Sequence, residues 1–465
     1  MIAKIRPILD EIIQNGGVPY AVGGCVRDFV LEKEIKDIDI EVHNISIEDL
    51  EKCLKKFGGV SLVGKKFGVL LIAHLDVDWS LPRKDSKGRK PKVEIDPQMT
   101  IKDACRRRDL TMNAMAIDLR DKDDGKVTTW KIVDPFNGLS DIKEKKLRLV
   151  DENLFLEDPL RFFRVMQFIS RFEMTPDEKL NEVCKKMSFA DAETGNELAR
   201  ERIFEEIKKL LLRSKRPSLG FRWLKDINRL DEIFPELGAL VSTQQRKDYH
   251  PEGNVFEHTM QSLDASAVIN EYESEEEKVK IMFGVLCHDM GKPKVTDKDL
   301  HARQHDVAGV AIAKTFLKRL TNNKDLMNSV CKIVRYHSMP GLLLRQKAGL
   351  KAYKRLAVKL SPEIDMSMLG IVAHADMCGR NPNGSEPLGK GFFAEENIDE
   401  FKSKIIEAAI EHAPEKPILL GKHLLDEVKS GPELGRLVKK AYEIQIEENI
   451  KDVEELKRRV LKIKI

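Results

Sequence analysis

The sequence predicts an α/β head followed by a mainly α-helical body. Three short segments with strand-like apolar patterns occupy residues 20–24 (YAVGG), 38–43 (IDIEVH) and 69–79 (VLLIAHLDVDW). From Glu157 onward, apolar residues return at three- and four-residue steps, as in residues 159–172. We therefore expect a mixed sheet with helices in the first third and helices almost throughout the rest.

Composition narrows the class of protein. A chain of 465 residues, 42% apolar and 34% charged, suits several helix-rich globular domains. The longest apolar runs, such as Ile281–Cys287, are too short to cross a bilayer, and the N-terminal segment lacks a signal-peptide pattern. Seven cysteines without a Cys-x-x-Cys pair argue against a disulfide framework or a zinc ribbon. We expect a cytoplasmic protein with no membrane association and no obligate protein partner.

Two adjacent glycines follow the first predicted strand, and an Arg-Asp pair follows them. Gly23 and Gly24 have no Cβ atom, so their backbone N–H groups can approach a triphosphate closely. Arg27 can add positive charge to this cradle, and Asp28 belongs to the same segment. A Gly-Gly pair alone is usually a turn. These residues are candidates for nucleotide binding because of the motifs that follow them.

Two aspartates stand two residues apart in the next predicted strand. Asp37 and Asp39 share one face, because side chains alternate along a strand. Mg²⁺ prefers carboxylates and phosphate oxygens, and a pair of ions can activate an attacking hydroxyl and neutralise a leaving pyrophosphate. A third acid is usual at such sites, and Asp78 is the first candidate, with Asp76 second. The sequence thus predicts catalytic carboxylates at 37, 39 and 78, of which the first two bind metal.

Four further motifs follow in order and carry a family resemblance. They are Arg107–Ala114 (RRDLTMNA), Asp134–Gly138 (DPFNG), Glu157–Arg161 (EDPLR) and Glu201–Ile203 (ERI). Together with the glycine pair and Asp-x-Asp, they resemble the polymerase-β-like nucleotidyltransferases and, among these, class II tRNA CCA-adding enzymes and bacterial poly(A) polymerases. The resemblance implies that Arg108, Asp109 and Asn113 contact the triphosphate and ribose. It also places Arg164 in the nucleotide site.

Asp158 and Arg161 are candidates for reading the nucleotide base. A carboxylate only accepts hydrogen bonds and a guanidinium only donates them, so the pair matches an amino group beside a ring nitrogen. Cytosine and adenine present this edge, whereas uracil and guanine present a carbonyl beside an N–H group. The resemblance assigns base reading to the same positions. Alternatively, Asp158 simply caps the helix that Pro159 begins and pairs with Arg161 within it.

Net charge does not indicate nucleic-acid binding, because the formal charge is only +3. Any RNA-binding surface must be local. Lys84–Lys92 (KDSKGRKPK) is the densest basic loop, and an ordinary solvated surface is the alternative interpretation. The resemblance implies a flexible loop here that assists the switch from C to A addition.

The second half is rich in histidine, since seven of the eleven lie between His250 and His374. His258, His288-Asp289 and Asp376 resemble the H…HD…D pattern of the HD phosphohydrolases, whose ligands suit a divalent metal such as Ni²⁺, Mn²⁺ or Mg²⁺. His305 and His337 lie where extended HD sites hold a second metal, or they are ordinary hydrogen-bonded histidines. The segments around these ligands are similar to the HD domain of multifunctional CCA-adding enzymes, which implies hydrolysis of 2′,3′-cyclic phosphates and related phosphomonoesters.

These motifs predict four domains and a function. The domains are a nucleotidyltransferase head at 1–150, a helical neck with the base-recognition helix at 151–235, an HD domain at 236–380 and a helical tRNA-binding tail at 381–465. The resemblance implies addition of CMP, CMP and AMP from CTP and ATP to the 3′ end of tRNA without a template. Three alternatives stay open: a poly(A) polymerase or partial CC- or A-adding enzyme, an HD phosphohydrolase with a non-catalytic tRNA-binding head, and a non-catalytic scaffold.

Overall fold

The computed structural model describes residues 2–35, 37–63, 68–85, 93–120, 130–189, 198–269, 271–382, 384 and 395–463. The chain divides into two compact units, Met1–Ile207 and Lys208–Ile465. Most of the predicted basic loop, residues 86–92, lies outside the described residues. Among the residues described, no helix is long and apolar enough to span a bilayer.

The first unit is a mixed α/β structure. Its strands are β1 Val18–Val22, β2 Ile38–His43, β3 Val60–Val63, β4 Val69–Ile72, β5 Val77–Ser80, β6 Arg83–Asp85, β7 Val93–Ile95, β8 Ala116–Asp118, β9 Ile132–Val133, β10 Lys146–Leu147 and β11 Thr175–Pro176. Its helices are α1 Ile2–Gln14, α2 Gly24–Val30, α3 Ile47–Lys55, α4 Ile101–Arg106, α5 Gly138–Lys143, α6 Glu152–Leu156, α7 Leu160–Phe172 and α8 Glu178–Lys186, and α9 Arg200–Arg213 begins in this unit. The prediction of a mixed sheet with helices is confirmed.

Seven strands form the main sheet, in the order β3-β4-β5-β2-β1-β8-β9. Every neighbouring pair is antiparallel except β2 and β5, which are parallel. Helix α1 packs its buried apolar residues into the same core as Ile40, Val42 and Trp79 of the sheet. Those helix residues recur at helical spacing, namely Ile5, Ile8, Leu9 and Ile12. Burial of these side chains against α1 therefore stabilises this face of the sheet.

The segment at residues 69–79 is two strands. A turn with His74 at φ 71° separates β4 from β5, and the two strands pair antiparallel. Asp76 precedes β5, whereas Asp78 lies within it. Likewise, β2 begins at Ile38, one residue after Asp37. The turn matters because it lets β5 run parallel to β2.

The second unit is helical, as predicted. Its helices are α10 Ser218–Asp226, α11 Leu230–Ile233, α12 Pro235–Ser242, α13 Val255–Val268, α14 Glu275–Cys287, α15 Lys292–Val295, α16 His305–Leu320, α17 Lys324–Tyr336, α18 Met339–Arg345, α19 Leu350–Leu360, α20 Met366–Cys378, α21 Glu395–Glu407, α22 Pro432–Glu448 and α23 Val453–Lys462. Side chains cap α13, α14, α17 and α20 at their N-termini, each accepting a backbone N–H; they belong to Asn254, Ser274, Asn323 and Asp365. These caps fix where the central helices begin.

Helices α14 and α17 pack closely at Gly284. A Cβ atom there would lie 2.6 Å from Ile333 Cδ1 and 2.7 Å from its Cγ2. We predict that Gly284→Ala lowers the free energy of unfolding by about 1–3 kcal/mol, because an added methyl group overpacks a filled core. Urea denaturation measures this loss.

Gly435 in α22 provides the matched control, because nothing lies within 4 Å of its added Cβ atom. Gly435→Ala should leave stability unchanged or raise it by up to about 1 kcal/mol, since alanine restricts the unfolded chain. Equal losses from both substitutions would contradict the packing argument.

Candidate active sites

The parallel pairing of β2 with β5 brings two predicted carboxylates side by side. Asp39 stands opposite Asp78 in the strand register, and both line a cleft of about 420 Å³ in the first unit. Burial raises the pKa of Asp39, and the negative charges of Asp78 and Asp37 raise it further against the opposing charge of Arg108. Asp37 is exposed at the start of β2. The charges of Asp37 and Asp78 therefore both act on Asp39, although Asp37 is not among the residues that line the cleft.

Gly23 lies at the point where β1 turns into α2. Its φ of 72° and ψ of −129° fall in a region that glycine adopts freely. A Cβ atom here would lie 3.1 Å from Arg108 Nη1 and 3.7 Å from Asp39 Oδ2. Gly24 begins α2 directly afterwards. At Gly23 the backbone therefore lies close to Arg108 and Asp39, and the predicted approach of the glycine pair to a triphosphate stays a prediction.

A hydrogen-bonded chain links the remaining predicted nucleotide-binding residues. Arg164 Nε donates to Asp109 Oδ2 at 2.6 Å, and Asn113 Nδ2 donates to Asp109 Oδ1 at 2.9 Å. Arg27 in turn donates to Asn113 Oδ1 at 2.7 Å and to Asp28 Oδ1 at 2.8 Å. Burial raises the pKa of Asp109, but the charge of Arg164 and these bonds outweigh it and hold the pKa at about 2. Asp109 is thus an ionised, fixed acceptor in the cleft.

Arg27 itself is engaged inside this chain. Its side chain is buried, and its guanidinium carbon lies 4.7 Å from the centroid of the Phe172 ring. The predicted contact of Arg27 with the triphosphate stays a prediction. In the structure, Arg27 holds the Asn113 side chain through a hydrogen bond to Oδ1.

Asp158 and Arg161 both line the cleft, next to Asp39 and Asp78. Asp158 Oδ1 accepts the backbone N–H of Leu160 at 3.1 Å, so it does help to start α7. Its other oxygen lies 3.4 Å from Arg202 Nη2. Arg161 donates to the backbone carbonyls of Leu154 and Arg107 at 2.9 and 2.7 Å. The capping part of the alternative interpretation is present, but the charged partner of Asp158 in this structure is Arg202.

Sequence reasoning missed several residues of this cleft. Glu41 lines it, and His43 Nε2 lies 3.1 Å from Glu41 Oε1. The signal was available, because Glu41 continues the period-two series of Asp37 and Asp39. Arg83 and Arg202 also line the cleft. Arg202 belongs to the predicted ERI helix, but its partnership with Asp158 depends on long-range folding.

The second unit gathers the predicted HD ligands at helix ends and on helix faces. His258 lies on α13, His288 and Asp289 directly follow α14, and Asp376 lies on α20. His258 Nε2 is 2.9 Å from Asp376 Oδ1, and His288 Nε2 is 3.3 Å from Asp289 Oδ2. One ligand atom each from His258, His288 and Asp376 fall within 4.8 Å of one another. These four predicted ligands therefore form one cluster.

Backbone carbonyls orient three of the histidines. His288 Nδ1 contacts Val285 O at 2.6 Å, His305 Nδ1 contacts Ala302 O at 2.8 Å, and His337 Nδ1 contacts Val334 O at 2.9 Å. Because a carbonyl only accepts, each Nδ1 carries the proton and each Nε2 presents a lone pair. The Nε2 of His288 is buried without a hydrogen-bond partner among the described residues. Such an atom fits a metal ligand.

His305 and His337 join Asp289 in a second group. Their Nε2 atoms are 3.1 Å apart and lie 3.4 and 3.8 Å from Asp289 Oδ1. Three lone pairs thus converge with no proton available from the Nδ1-protonated rings. Burial lowers the pKa of His337 to about 3, so this ring is neutral near pH 7. A cation between these atoms fits the donor set.

Glu252 is a buried residue that the sequence did not single out. Its Oε1 lies 2.9 Å from the Nδ1 atoms of both His250 and His258. Burial raises its pKa, but hydrogen bonds from the two histidines lower the pKa to about 2. Glu252 therefore orients His258 as a carboxylate behind a metal-binding imidazole does. Lys292 is a second such residue, with Nζ 2.6 Å from Asp289 Oδ2.

Protein families match the stretches of the chain that contain the two candidate sites. A family described as "Poly A polymerase head domain" matches residues 19–148, and the HD domain family matches residues 255–376. A third, "Probable RNA and SrmB- binding site of polymerase A", matches residues 175–240. The fold and the two clusters define a nucleotidyltransferase that also contains an HD domain.

Proteins of similar sequence identify the family within this class. The chain is 33% identical over 372 residues to the "Multifunctional CCA protein" of Pasteurella multocida, covering 78% of this chain and 84% of that protein. The chain therefore belongs to the multifunctional CCA proteins, which are class II nucleotidyltransferases with an HD domain.

Solved structures agree in fold. A CCA-adding enzyme in complex with ATP has a TM-score of 0.62 at 20% identity and covers 100% of this chain and 95% of that one. The Thermotoga maritima CCA-adding enzyme complexed with tRNA has a TM-score of 0.58 at 20% identity, with the same coverage of both chains.

Gly291 tests whether α16 positions the second group. A Cβ atom there would overlap the carbonyl oxygen of His305 and lie 2.6 Å from the backbone nitrogen of Gly309. We predict that Gly291→Ala shifts the start of α16, withdraws His305 from Asp289 and weakens metal binding about 10-fold or more. Metal content per chain after loading with Mn²⁺ and dialysis measures this.

The control is Gly349→Ala, whose added Cβ atom has nothing within 4 Å. It should retain the metal content of the parent chain. Unchanged metal content in Gly291→Ala, with an unchanged fold by circular dichroism, would count against His305 as a ligand.

Proposed function

We propose that the head adds CMP, CMP and AMP, from CTP and ATP, to the 3′ end of tRNA without a template. One observation carries the proposal: the cleft that contains the facing carboxylates Asp39 and Asp78 also contains Asp158 and Arg161. Nucleotidyl-transfer ligands and a pair suited to base recognition thus border one cavity. Membership in the multifunctional CCA proteins supports the substrates.

The proposed chemistry is a single displacement. The terminal 3′ hydroxyl of the RNA forms a bond to the α-phosphorus, the bond from that phosphorus to the pyrophosphate oxygen breaks, and the hydroxyl proton departs. Asp37, Asp39 and Asp78 would hold Mg²⁺, which supplies the charge that eases hydroxyl ionisation and neutralises pyrophosphate. Arg108, beside Gly23, adds fixed positive charge for the triphosphate. Asp109, held by Arg164 and Asn113, accepts a hydrogen bond from the ribose.

Base choice rests on complementary hydrogen bonds. The Asp158 carboxylate accepts from the amino group of cytosine or adenine, and the Arg161 guanidinium donates to the adjacent ring nitrogen. Two donors of Arg161 already bind carbonyl oxygens, so its plane is fixed before a base arrives. Uracil and guanine would oppose acceptor to acceptor and donor to donor. Such mismatches give discrimination of about 10⁴-fold or more.

We predict that Asp158→Ala lowers incorporation from CTP and ATP and reduces discrimination against UTP and GTP by at least about 10-fold, because the acceptor that rejects their carbonyls is gone. The assay incubates the protein with tRNA lacking its CCA end, Mg²⁺ and each NTP separately. Product length also distinguishes CCA addition from poly(A) or partial addition.

Asp39→Ala serves as the contrasting variant, since it should abolish transfer from every nucleotide without changing the choice among them. If Asp158→Ala keeps the selectivity of the parent chain, Asp158 is only a helix cap. If Asp39→Ala extends the RNA normally, the proposed catalytic site is wrong.

We also propose that the HD domain hydrolyses phosphoesters such as 2′,3′-cyclic phosphates. His258, His288, Asp289 and Asp376 would hold one divalent ion, with Ni²⁺, Mn²⁺ and Mg²⁺ as candidates, and His305 and His337 a second. A bound ion would supply Lewis acidity that makes water nucleophilic at neutral pH. Water then bonds to phosphorus while one ester P–O bond breaks, and the leaving oxygen takes a proton. Lys292 and Arg380, which border the cavity, attract the anionic substrate.

We predict that Asp289→Asn abolishes hydrolysis of nucleoside 2′,3′-cyclic phosphates, because Asp289 approaches both ligand groups. Release of the ring-opened monoester is measured by chromatography. CCA addition by the same preparation is the control and should persist. Loss of both activities would instead indicate a structural role for Asp289.

The predicted domain boundaries at 150, 235 and 380 stand as a proposal. The family matches at 19–148 and 255–376 fall inside the proposed head and HD domain. The proposed tail at 381–465 has a small core of its own, formed by Leu424, Ala441, Leu456 and Val460.

A further inference from the structure

The HD ligands open into a cavity that extends well beyond them. Its volume is about 450 Å³, and Asp289, His305, His337 and Asp376 form one part of its wall. This volume lies within the range of about 300–1,000 Å³ that is usual for small-molecule sites. A phosphoryl group occupies only a small fraction of such a space. The remaining wall therefore contacts whatever the phosphate is attached to.

Tyr249 is the aromatic side chain of that remaining wall. It lines the cavity, yet 56% of the residue is exposed to solvent. A single exposed aromatic residue needs no explanation by itself, but this one borders the cavity that holds the HD ligands. Tyr249 also immediately precedes His250, which reaches His258 through Glu252. Tyr249 is therefore adjacent in the sequence to a residue that is connected to the HD ligand cluster.

Arg246 supports the Tyr249 ring. Its guanidinium carbon lies 5.2 Å from the ring centroid, and its Nε and Nη2 donate to the Asp248 carboxylate at 3.1 and 2.5 Å. Arg246 Nη1 also lies 3.2 Å from His301 Nε2. The turn is closed by the N–H groups of Tyr249 and His250, which both donate to Arg246 O. With Arg246 near one face, the ring has a second flat face that a ligand can contact.

Positive side chains complete the cavity. Lys292, Arg303, Arg345 and Arg380 all line it. Lys292 pairs with Asp289 and Arg380 with Asp376. Arg303 and Arg345 are exposed on the wall. Together with the HD ligands, these groups suit a ligand with phosphate at one end and a planar ring at the other, which is the chemistry of a nucleotide.

We propose that Tyr249 stacks on the base of the substrate whose phosphoester reaches the HD ligands, so that the site selects nucleotides over base-free phosphoesters. This inference rests on the proposed hydrolysis at the HD site. Stacking tolerates any base, because every base has a π face. Substrate affinity should therefore depend much more on whether a base is present than on which base it is.

The test compares Tyr249→Leu and Tyr249→Phe with the parent chain. Steady-state kcat and KM are measured in Mn²⁺ for adenosine 2′,3′-cyclic phosphate and for the methyl riboside of ribose 2′,3′-cyclic phosphate, which has no base. Tyr249→Leu should raise KM for the nucleotide about 10-fold with kcat nearly unchanged, as expected for loss of one stacked base. Its KM for the base-free ester should stay the same. Tyr249→Phe, which keeps the ring, should behave like the parent.

Three results would overturn the inference: equal effects of Tyr249→Leu on both substrates, no effect on either, or a Tyr249→Phe variant as impaired as Tyr249→Leu. If the parent chain hydrolyses neither ester, the proposed HD activity fails separately. Equilibrium dialysis of adenosine 2′-monophosphate then decides the question of Tyr249. The head is identical in the parent chain and in Tyr249→Leu, so a difference in binding reports on the HD cavity. If Tyr249→Leu binds adenosine 2′-monophosphate as tightly as the parent, Tyr249 is not a stacking surface.

Discussion

The pairing of β2 with β5 is the constraint on which the head depends. Every other pair in the seven-stranded sheet is antiparallel, and this parallel pair sets Asp39 opposite Asp78. Burial raises the pKa of Asp39, and the negative charge of Asp78 one strand spacing away raises this pKa further. Nothing in sheet packing benefits from this arrangement. The positive charge of Arg108 offsets part of this electrostatic cost, and the proposed Mg²⁺ would offset more of it.

The second unit also brings electron-rich atoms close together, and here they include imidazole nitrogens as well as carboxylate oxygens. Carbonyl oxygens fix the protons on Nδ1 of His288, His305 and His337, and the lone pairs on Nε2 then face Asp289. Lys292 and Arg380 offset part of the carboxylate charge but leave the imidazole lone pairs unmatched. Carboxylates alone suit Mg²⁺, whereas imidazoles with carboxylates suit transition metals as well. The chain thus presents two donor sets of different selectivity, which is consistent with two separate chemistries.

Sequence patterns predicted the candidate ligands, whereas several residues that contact them were recognised only in the folded structure. Period-two alternation singled out Asp37 and Asp39 as candidates, and the resemblance to the H…HD…D pattern singled out His258, His288, Asp289 and Asp376. The turn at His74 was not predicted, since the run from 69 to 79 is continuously apolar apart from its aspartates and His74. Arg202 pairs with Asp158, 44 residues away in the sequence, so no local pattern indicates that contact. Glu252 lies close in sequence to its partners His250 and His258, but no periodic pattern singled it out. Glu41 was within reach of the same alternation argument that found Asp39.

The pairing of Asp158 with Arg202 bears on how base choice operates. Both side chains are partly exposed, at 39% and 48%, and their oxygen and nitrogen are 3.4 Å apart. A pair that is this exposed contributes only about 0–1 kcal/mol. An incoming cytosine or adenine can therefore displace Arg202 at small cost, because its amino group satisfies the same carboxylate oxygen. Uracil or guanine would displace Arg202 and put a carbonyl in its place, leaving the carboxylate without a donor. Under the proposed base recognition, displacing Arg202 costs the same for every base, so it lowers affinity for all of them and leaves the choice among bases to Asp158 and Arg161.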